Sequence, residues 1–341
     1  MVAALGFVLV SLVVILLAAE FFTNAVEWFG HRLGLNQGTV GSVLAAVGTA
    51  MPETMIPIIA ILVAGSDGGH DIGVGAILGA PFLLSTAAFG VTGIGVLTFA
   101  ARRENGKNVH IDAQVIGRDI GYFFVVYLFA VLSSFLPWRE PKYAVAALLL
   151  GLYALYVYRT ISHEGGSNVV ESEEELGGLR FHRYIGGAGS PPTAIIAFQL
   201  AFALGLMIGG ALLFVENLEI VAHDLGVPPL PLALIIAPLA SELPEKFNSI
   251  IWVRQGKDTL AMGNITGAMV FQSCIPVAVG VTFTDWELTT PALISAAIAL
   301  TSAAIVYLSI KKRGYLSSYV LARAGLLWLA FVVYIVIDVS A

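Results

Sequence analysis

Two short sequences place a proline beside a glutamate within long apolar stretches. Residues 48–54 read "GTAMPET" and residues 240–246 read "ASELPEK", which gives the pairs Pro52-Glu53 and Pro244-Glu245. A charged carboxylate at the centre of a membrane helix costs roughly 2.5–3.5 kcal/mol, and such residues usually mark ion pathways. Because the same costly pair occurs twice, the pattern indicates a function that requires it.

Proline lacks an N–H and clashes with the carbonyl four residues earlier, so each proline is expected to interrupt its helix. The interruption frees a backbone oxygen next to a hydroxyl residue and close to the glutamate. A hard cation such as Ca²⁺ takes about 6–8 oxygen ligands, and two carboxylates neutralise one divalent ion. The alternative is a pair of kinked helices whose glutamates make structural hydrogen bonds. The predicted cation ligands are Glu53, Glu245, the hydroxyls of Thr49 and Ser241, and the carbonyls of Gly48 and Ala240.

The composition is that of a membrane protein. Of the 341 residues, 58% are hydrophobic and only 12% are charged, and the mean hydropathy is +0.88. A soluble globular protein carries about twice that share of charge, and a membrane-spanning helix needs about 20 apolar residues. The fold class that follows is an all-α polytopic membrane protein with ten transmembrane helices. The predicted spans are 2–29, 37–64, 71–100, 119–137, 141–160, 193–222, 229–253, 258–284, 290–310 and 318–339.

The two halves of the chain are similar in sequence. "FFTNAVEWFGHRLGL" (residues 21–35) aligns with "LFVENLEIVAHDLGV" (213–227), and the same alignment places Pro52-Glu53 on Pro244-Glu245. Slightly later, "GAILGA" (75–80) meets "GNITGA" (263–268). Five spans per half is an odd number, so the halves must insert as two inverted five-helix repeats, a signature of secondary transporters. The glycines of both hexapeptides are expected to hold the third and eighth spans against the Pro-Glu helices.

The predicted organisation is a first repeat (1–160), an acidic Gly- and Ser-rich linker (161–192) and a second repeat (193–341). Between spans, Lys and Arg residues concentrate on one side of the membrane, and the other side has only Arg139 and Lys142. The positive-inside rule then places both termini outside and a solvated linker in the cytoplasm. We expect an integral protein of the plasma (inner) membrane.

The motif pair resembles the two α-repeats of the calcium/cation antiporter superfamily, which includes sodium/calcium exchangers. The family pattern is near G-T-S-x-P-E followed by G-N-x-x-G-S-N, and the resemblance covers both halves. It implies a ten-helix fold, alternating access and exchange of Ca²⁺ for another cation. By that resemblance Glu53 and Glu245 are the central ligands, with Thr49 and Ser241 beside them.

The sequence departs from this family pattern after the second glycine of the third and eighth spans. Family members usually carry Asn or Asp there, whereas this chain has Pro81 and Met269. Gln272, one turn beyond Ala268, is either a replacement ligand or a helix–helix hydrogen bond. In the family that this chain resembles, those Asn and Asp side chains help to complete sodium sites. Coupling to Na⁺ and coupling to H⁺ therefore both stay open as alternatives.

The second motif adds two charges that the first motif lacks. Glu242 and Lys246 are four residues apart, which suits an ion pair on a helix. Alternatively, Lys246 is a fixed cation beside the site.

We therefore expect a secondary active antiporter exchanging Ca²⁺ for Na⁺ or H⁺. The alternative is a sodium/proton or other cation exchanger of the same fold. The spans carry neither H-E-x-x-H nor G-x-S-x-G, so no enzyme is expected. A closed two-carboxylate site suits occlusion better than the flow of a channel. The expected partners are inorganic cations and the lipid bilayer, with no cofactor and no nucleic acid. Sequence does not indicate the oligomeric state.

Overall fold

The protein is helical throughout most of its described part. A computed structural model describes residues 1–32, 50–64, 67–163, 178–184, 189–313 and 315–340. The helices are α1 (Val2–Arg32), α2 (Met51–Ile59), α3 (Asp67–Leu83), α4 (Phe89–Phe99), α5 (Ala113–Ser133), α6 (Arg139–His163), α7 (Arg180–Tyr184), α8 (Thr193–Leu225), α9 (Pro229–Arg254), α10 (Asp258–Phe283), α11 (Thr290–Arg313) and α12 (Ser318–Ser340). π-Helical turns extend α2 (Ala60–Ala64) and join α3 to α4 (Leu84–Ala88). Two short strands, β1 (Asn108–Val109) and β2 (Leu316–Ser317), pair antiparallel.

Eight helical segments in the described part are long and apolar enough to cross a membrane. They are α1, α3 together with α4, α5, α6, α8, α10, α11 and α12. Met51–Ala64 and the first part of α9, Pro229–Glu242, are two shorter apolar helical stretches. The prediction of an all-α membrane protein is therefore confirmed. Residues 37–49, just under half of the expected span 37–64, lie outside the described residues.

One predicted boundary is wrong by about two turns. Hydropathy predicts that the fourth span begins at residue 119, but α5 begins at Ala113. The carboxylate of Asp112 caps this helix by accepting hydrogen bonds from the backbone N–H groups of Gln114 (2.9 Å) and Val115 (3.2 Å). Such a cap satisfies donors that the first turn leaves without a helical partner. Hydropathy misses this start because Gln114, Arg118 and Asp119 interrupt the apolar residues of the first two turns.

The expectation of a fully solvated linker is also wrong for its described part. Leu179 is only 1% exposed and packs with Ala25, Trp28 and Ile196. The backbone N–H of Phe181 donates to the Gln199 side chain at 2.9 Å. The short helix α7 is thus attached to the body of the protein. The acidic cluster of the linker (Glu171, Glu173, Glu174, Glu175) lies outside the described residues.

Helices of the two halves pack against each other. In the contact between α1 and α8, a Cβ on Gly210 would lie 2.8 Å from Ile15 Cγ1. In the contact between α3 and α9, a Cβ on Gly75 would collide with the carbonyl of Leu230, and one on Gly79 with that of Leu234. The predicted role of the third-span glycines is therefore confirmed, because α9 carries the second Pro-Glu pair.

The corresponding prediction for the eighth span involves residues 37–49 of the first Pro-Glu span, which lie outside the described residues. Among the described residues, a Cβ on Gly263 would have Ile116 as its nearest neighbour at 4.0 Å, and one on Gly267 would lie 3.7 Å from the Tyr156 hydroxyl. The described neighbours of these two glycines are therefore side chains of α5 and α6.

Candidate functional site

Glu53 lies in the first turn of α2 and is 5% exposed. The partial positive charge of a helix N-terminus stabilises a carboxylate at this position. Pro52 also occupies the first turn of the described helix, where a missing N–H costs nothing because that group has no helical partner. The Thr54 hydroxyl donates to the Ala50 carbonyl at 2.7 Å. Gly48 and Thr49, two of the predicted ligands, lie outside the described residues.

The second Pro-Glu pair lies within α9, whose backbone is helical from Pro229 to Arg254. The expected interruption at Pro244 is therefore wrong, because the helix continues through it. Pro244 still has no N–H, so it donates nothing to the carbonyl of half-buried Ala240. Position 245 follows Ser241 by four residues, which places both on one face of α9. The Glu245 side chain lies outside the described part.

Ser241 is 2% exposed, and its hydroxyl donates to the Ala237 carbonyl at 3.0 Å. Because this bond uses its proton, the oxygen retains lone pairs for a donor or a cation. Glu53 and Ser241 line the same crevice between α2, α3 and α9. The crevice is too narrow for a water molecule. Its other lining residues are Ile56, Ala76, Ala80, Ala237 and Pro238.

The structure thus joins a carboxylate of the first half to a hydroxyl of the second half. The close approach of α3 to α9 places two alanine methyl groups, Ala76 and Ala80, on the crevice wall. Within the described ranges, His, Cys, Asp and Glu residues form no group of three that could hold a metal ion.

Gln272 is buried on α10, and its amide donates to the Glu242 carboxylate of α9 at 3.4 Å. Of the two alternatives for Gln272, the structure shows the helix–helix hydrogen bond. Gln272 is not among the residues that line the Glu53 crevice. Glu242 itself is 1% exposed, and its predicted pairing with Lys246 involves a side chain outside the described part.

Sequence reasoning misses another buried carboxylate, Asp119, which is 2% exposed. It accepts hydrogen bonds from Thr266 of α10 at 2.9 Å and from Tyr156 of α6 at 3.2 Å, and Arg118 lies 3.2 Å away. Hydropathy assigns Asp119 to the end of a span because it places the start of α5 too late. The available signal is an acidic residue directly before the apolar run "IGYFFVVYLFAVL".

Comparison with known proteins places this arrangement in a family. The family model described as "Sodium/calcium exchanger protein" matches residues 3–162 and 195–339. A protein from Alkalimonas amylolytica named "Putative antiporter CaxA" is 25% identical over 287 residues, which cover 82% of this chain and 81% of that protein.

Two solved structures share the fold. The crystal structure of the H⁺/Ca²⁺ exchanger CAX matches with a TM-score of 0.68 at 18% identity and covers 99% of this chain and 87% of that chain. The sodium-calcium exchanger NCX_Mj matches with a TM-score of 0.58 at 17% identity, over 97% of this chain and 98% of that chain. Since the family model extends over both halves and the whole helical arrangement is shared, the chain belongs to the sodium/calcium exchanger protein family.

Proposed function

We propose that this protein is a secondary active antiporter that exchanges Ca²⁺ for Na⁺ or H⁺ by alternating access. The observation that carries the proposal is the crevice in which Glu53 of the first half and Ser241 of the second half meet. A site shared between two halves can open to either side of the membrane when the halves move relative to each other. Membership of an exchanger family supports the same reaction class.

The proposed cation site lies at the membrane midplane and is built on Glu53 and Glu245. Thr49, Ser241, and the carbonyls of Gly48 and Ala240 complete an oxygen shell of the kind that Ca²⁺ prefers. Position 245 is one helical turn from Ser241, which supports its inclusion. Gln272 takes a supporting role in this proposal, since it holds Glu242 of α9.

The proposed fold has ten transmembrane helices in two inverted five-helix repeats. The region before α2 completes the second span, and α9 is the seventh. Packing supports this relation, because α1 contacts its counterpart α8, and α3 contacts α9, the counterpart of the Pro-Glu span. The proposed units remain 1–160, 161–192 and 193–341, in the plasma (inner) membrane with both termini outside.

Exchange follows if both ions use the same carboxylates. Two negative charges in a closed crevice are stable only when a cation or protons neutralise them. The site can therefore change the side of the membrane to which it is open only while a cation or protons are bound. A bound Ca²⁺ leaves on one side only when another cation replaces it. This requirement couples the two fluxes and distinguishes an exchanger from a channel.

The coupling ion is either Na⁺ or H⁺. The two solved relatives are named for H⁺/Ca²⁺ and sodium-calcium exchange, respectively. Ala80, a crevice residue, and Pro81 stand where the resemblance expects polar side chains, which favours H⁺. The second candidate function is a sodium/proton or other cation exchanger of the same fold.

The test is ⁴⁵Ca²⁺ uptake into proteoliposomes that hold the purified full-length chain. An outward Na⁺ gradient and, separately, an outward H⁺ gradient are imposed, with Glu53→Gln as the inactive control. We expect one gradient to drive uptake in the wild type, and neither gradient in the variant. Calcium uptake under neither gradient, with retained cation-dependent proton movement, would favour the second candidate function.

A further inference from the structure

Arg323 is a cation inside a membrane-spanning helix. It follows Ser318, the first residue of α12, by five positions, which is about 7.5 Å along the helix axis. Its side chain is exposed on the protein surface. At this depth an arginine side chain can extend toward the headgroup region while its alkyl part stays in apolar surroundings.

The elements around Arg323 offer it no negative charge. The sequence contains no acidic residue between Glu287 and Asp338, a stretch that covers α11 and most of α12. α4 and the Leu84–Ala88 turn, which also pack on α12, contain none either. Among the residues that the structure describes, no hydrogen-bond acceptor or ion-pair partner is found for the guanidinium group. Its counter-charge must therefore come from the surroundings.

Arg323 lines an apolar crevice between α11 and α12, with a volume of about 280 Å³. On its other side, α12 packs closely against α4. A Cβ on Gly90 would lie 2.6 Å from Gly325 Cα, and one on Gly93 would collide with the backbone of Ala322. The remaining lining residues are Ser302, Ile305, Val306, Val320, Ala324 and Leu327.

We propose that this crevice binds an anionic phospholipid. One acyl chain lies along the apolar wall formed by α11 and α12, and the phosphate group accepts hydrogen bonds from Arg323. Guanidinium groups bind phosphate in a two-pronged geometry that suits this pairing. Exposed Lys311 and Lys312 at the end of α11 add positive potential that attracts anionic headgroups. A free soluble anion fits less well, because it would leave the apolar wall uncovered.

The test measures association of spin-labelled phosphatidylglycerol and phosphatidylcholine with the full-length protein in phosphatidylcholine vesicles. We expect wild type to prefer the anionic lipid by about fivefold, which corresponds to the roughly 1 kcal/mol that one basic residue contributes near such lipids. Arg323→Gln should abolish the preference and Arg323→Lys should retain it. Ile305→Trp, which fills the crevice from its exposed side, should weaken association of phosphatidylglycerol.

Lys311→Gln is the matched control, because it removes a nearby exposed charge that does not line the crevice. An unchanged preference in Arg323→Gln, or an equal loss in Lys311→Gln, would overturn the proposal. Displacement of the labelled lipid by millimolar inorganic phosphate would overturn it as well, because it would indicate a site for free anions. Thermal unfolding checks that each variant is folded. The experiment measures only lipid association, so its outcome does not depend on which ions the protein exchanges.

Discussion

At the scale of single residues, the candidate site combines a buried carboxyl group with a hydroxyl oxygen from the other half of the chain. Glu53 is 5% exposed and Ser241 is 2% exposed, and both line one crevice. The Ser241 proton is bound to its own helix, so its oxygen can act only as an acceptor. In the proposed cation site, Glu53 supplies charge and Ser241 supplies one coordinating oxygen.

We predict that Ser241→Ala weakens the apparent affinity for Ca²⁺ by roughly three- to tenfold, since one neutral interaction contributes about 0.5–1.5 kcal/mol. Ser241→Thr keeps the hydroxyl and should stay close to wild type. The measurement is the Ca²⁺ concentration dependence of ⁴⁵Ca²⁺ uptake. Ser249→Ala is the control, because Ser249 is also a buried serine of α9 but does not line the crevice. Equal effects of the two alanine variants would argue against coordination by Ser241.

At the scale of elements, the site depends on the close approach of α3 to α9. Glycines at positions 75 and 79 allow this approach, and the backbone of α9 occupies the space where their side chains would be. Among the described residues, a Cβ on the equivalent glycines of α10 would meet side chains of α5 and α6 at 4.0 Å and 3.7 Å. The first repeat thus uses its glycines to position a crevice wall.

We predict that Gly79→Ala lowers the free energy of unfolding by about 1–3 kcal/mol, since its methyl group would collide with the Leu234 carbonyl. Gly267→Ala is the matched variant at the equivalent position. Among the described residues its methyl group would meet the Tyr156 hydroxyl in an ordinary contact at 3.7 Å, so we expect stability to stay level or rise slightly. Thermal unfolding of both purified variants in detergent provides the comparison. A more destabilising Gly267→Ala would contradict the assigned packing.

Several elements are predictable from sequence because their signals are local. Apolar runs indicate the spans, and the paired glycines predict the contact of α3 with its Pro-Glu partner. The start of α5 after its cap Asp112 is missed because polar and charged residues interrupt the apolar pattern of the first two turns. Ile116 and Tyr156, the described neighbours of Gly263 and Gly267, come from α5 and α6, and no local pattern specifies them. The predicted interruption at Pro244 is wrong because a helix held on several sides can continue past one missing hydrogen bond.

At the scale of the whole molecule, a buried ion pair ties the two halves together. Arg103 follows α4, and Asp258 begins α10; their side chains are 1% and 0% exposed. The guanidinium group donates to both carboxylate oxygens, at 2.8 Å and 2.6 Å. The His110 backbone N–H donates to the same carboxylate at 2.7 Å, and Arg103 also donates to the carbonyl of Val253. The end of α9, which carries the second Pro-Glu pair, is therefore fastened to the first half.

We predict that Asp258→Asn lowers the free energy of unfolding by about 3–5 kcal/mol, because it leaves the Arg103 charge buried without its partner. The control is Asp285→Asn, which breaks the exposed pair with Arg139 and should change stability little. Thermal unfolding of both variants in detergent distinguishes the two cases. Similar small shifts in both would show that the Arg103 pair is solvated in the protein.

The proposed orientation of the whole molecule places the C-terminus outside the cell and the linker in the cytoplasm. In intact cells a membrane-impermeant maleimide should label Ala341→Cys from outside and should spare Ser167→Cys until the cells are opened. The native Cys274 is buried, so the background labelling should be low. Labelling of Ser167→Cys in intact cells would contradict a cytoplasmic linker.

The central claim is that one Ca²⁺ site is shared by Glu53 and Glu245, and direct Ca²⁺ binding to the purified chain in detergent tests it most directly. We predict one bound Ca²⁺ per chain. Glu53→Gln and Glu245→Gln should each weaken binding by about 30-fold or more, since removing one partner of a buried charge pair costs about 2–5 kcal/mol. Glu287→Gln, at an exposed loop position, should bind as the wild type does. Wild-type affinity in either of the two site variants would contradict a shared site.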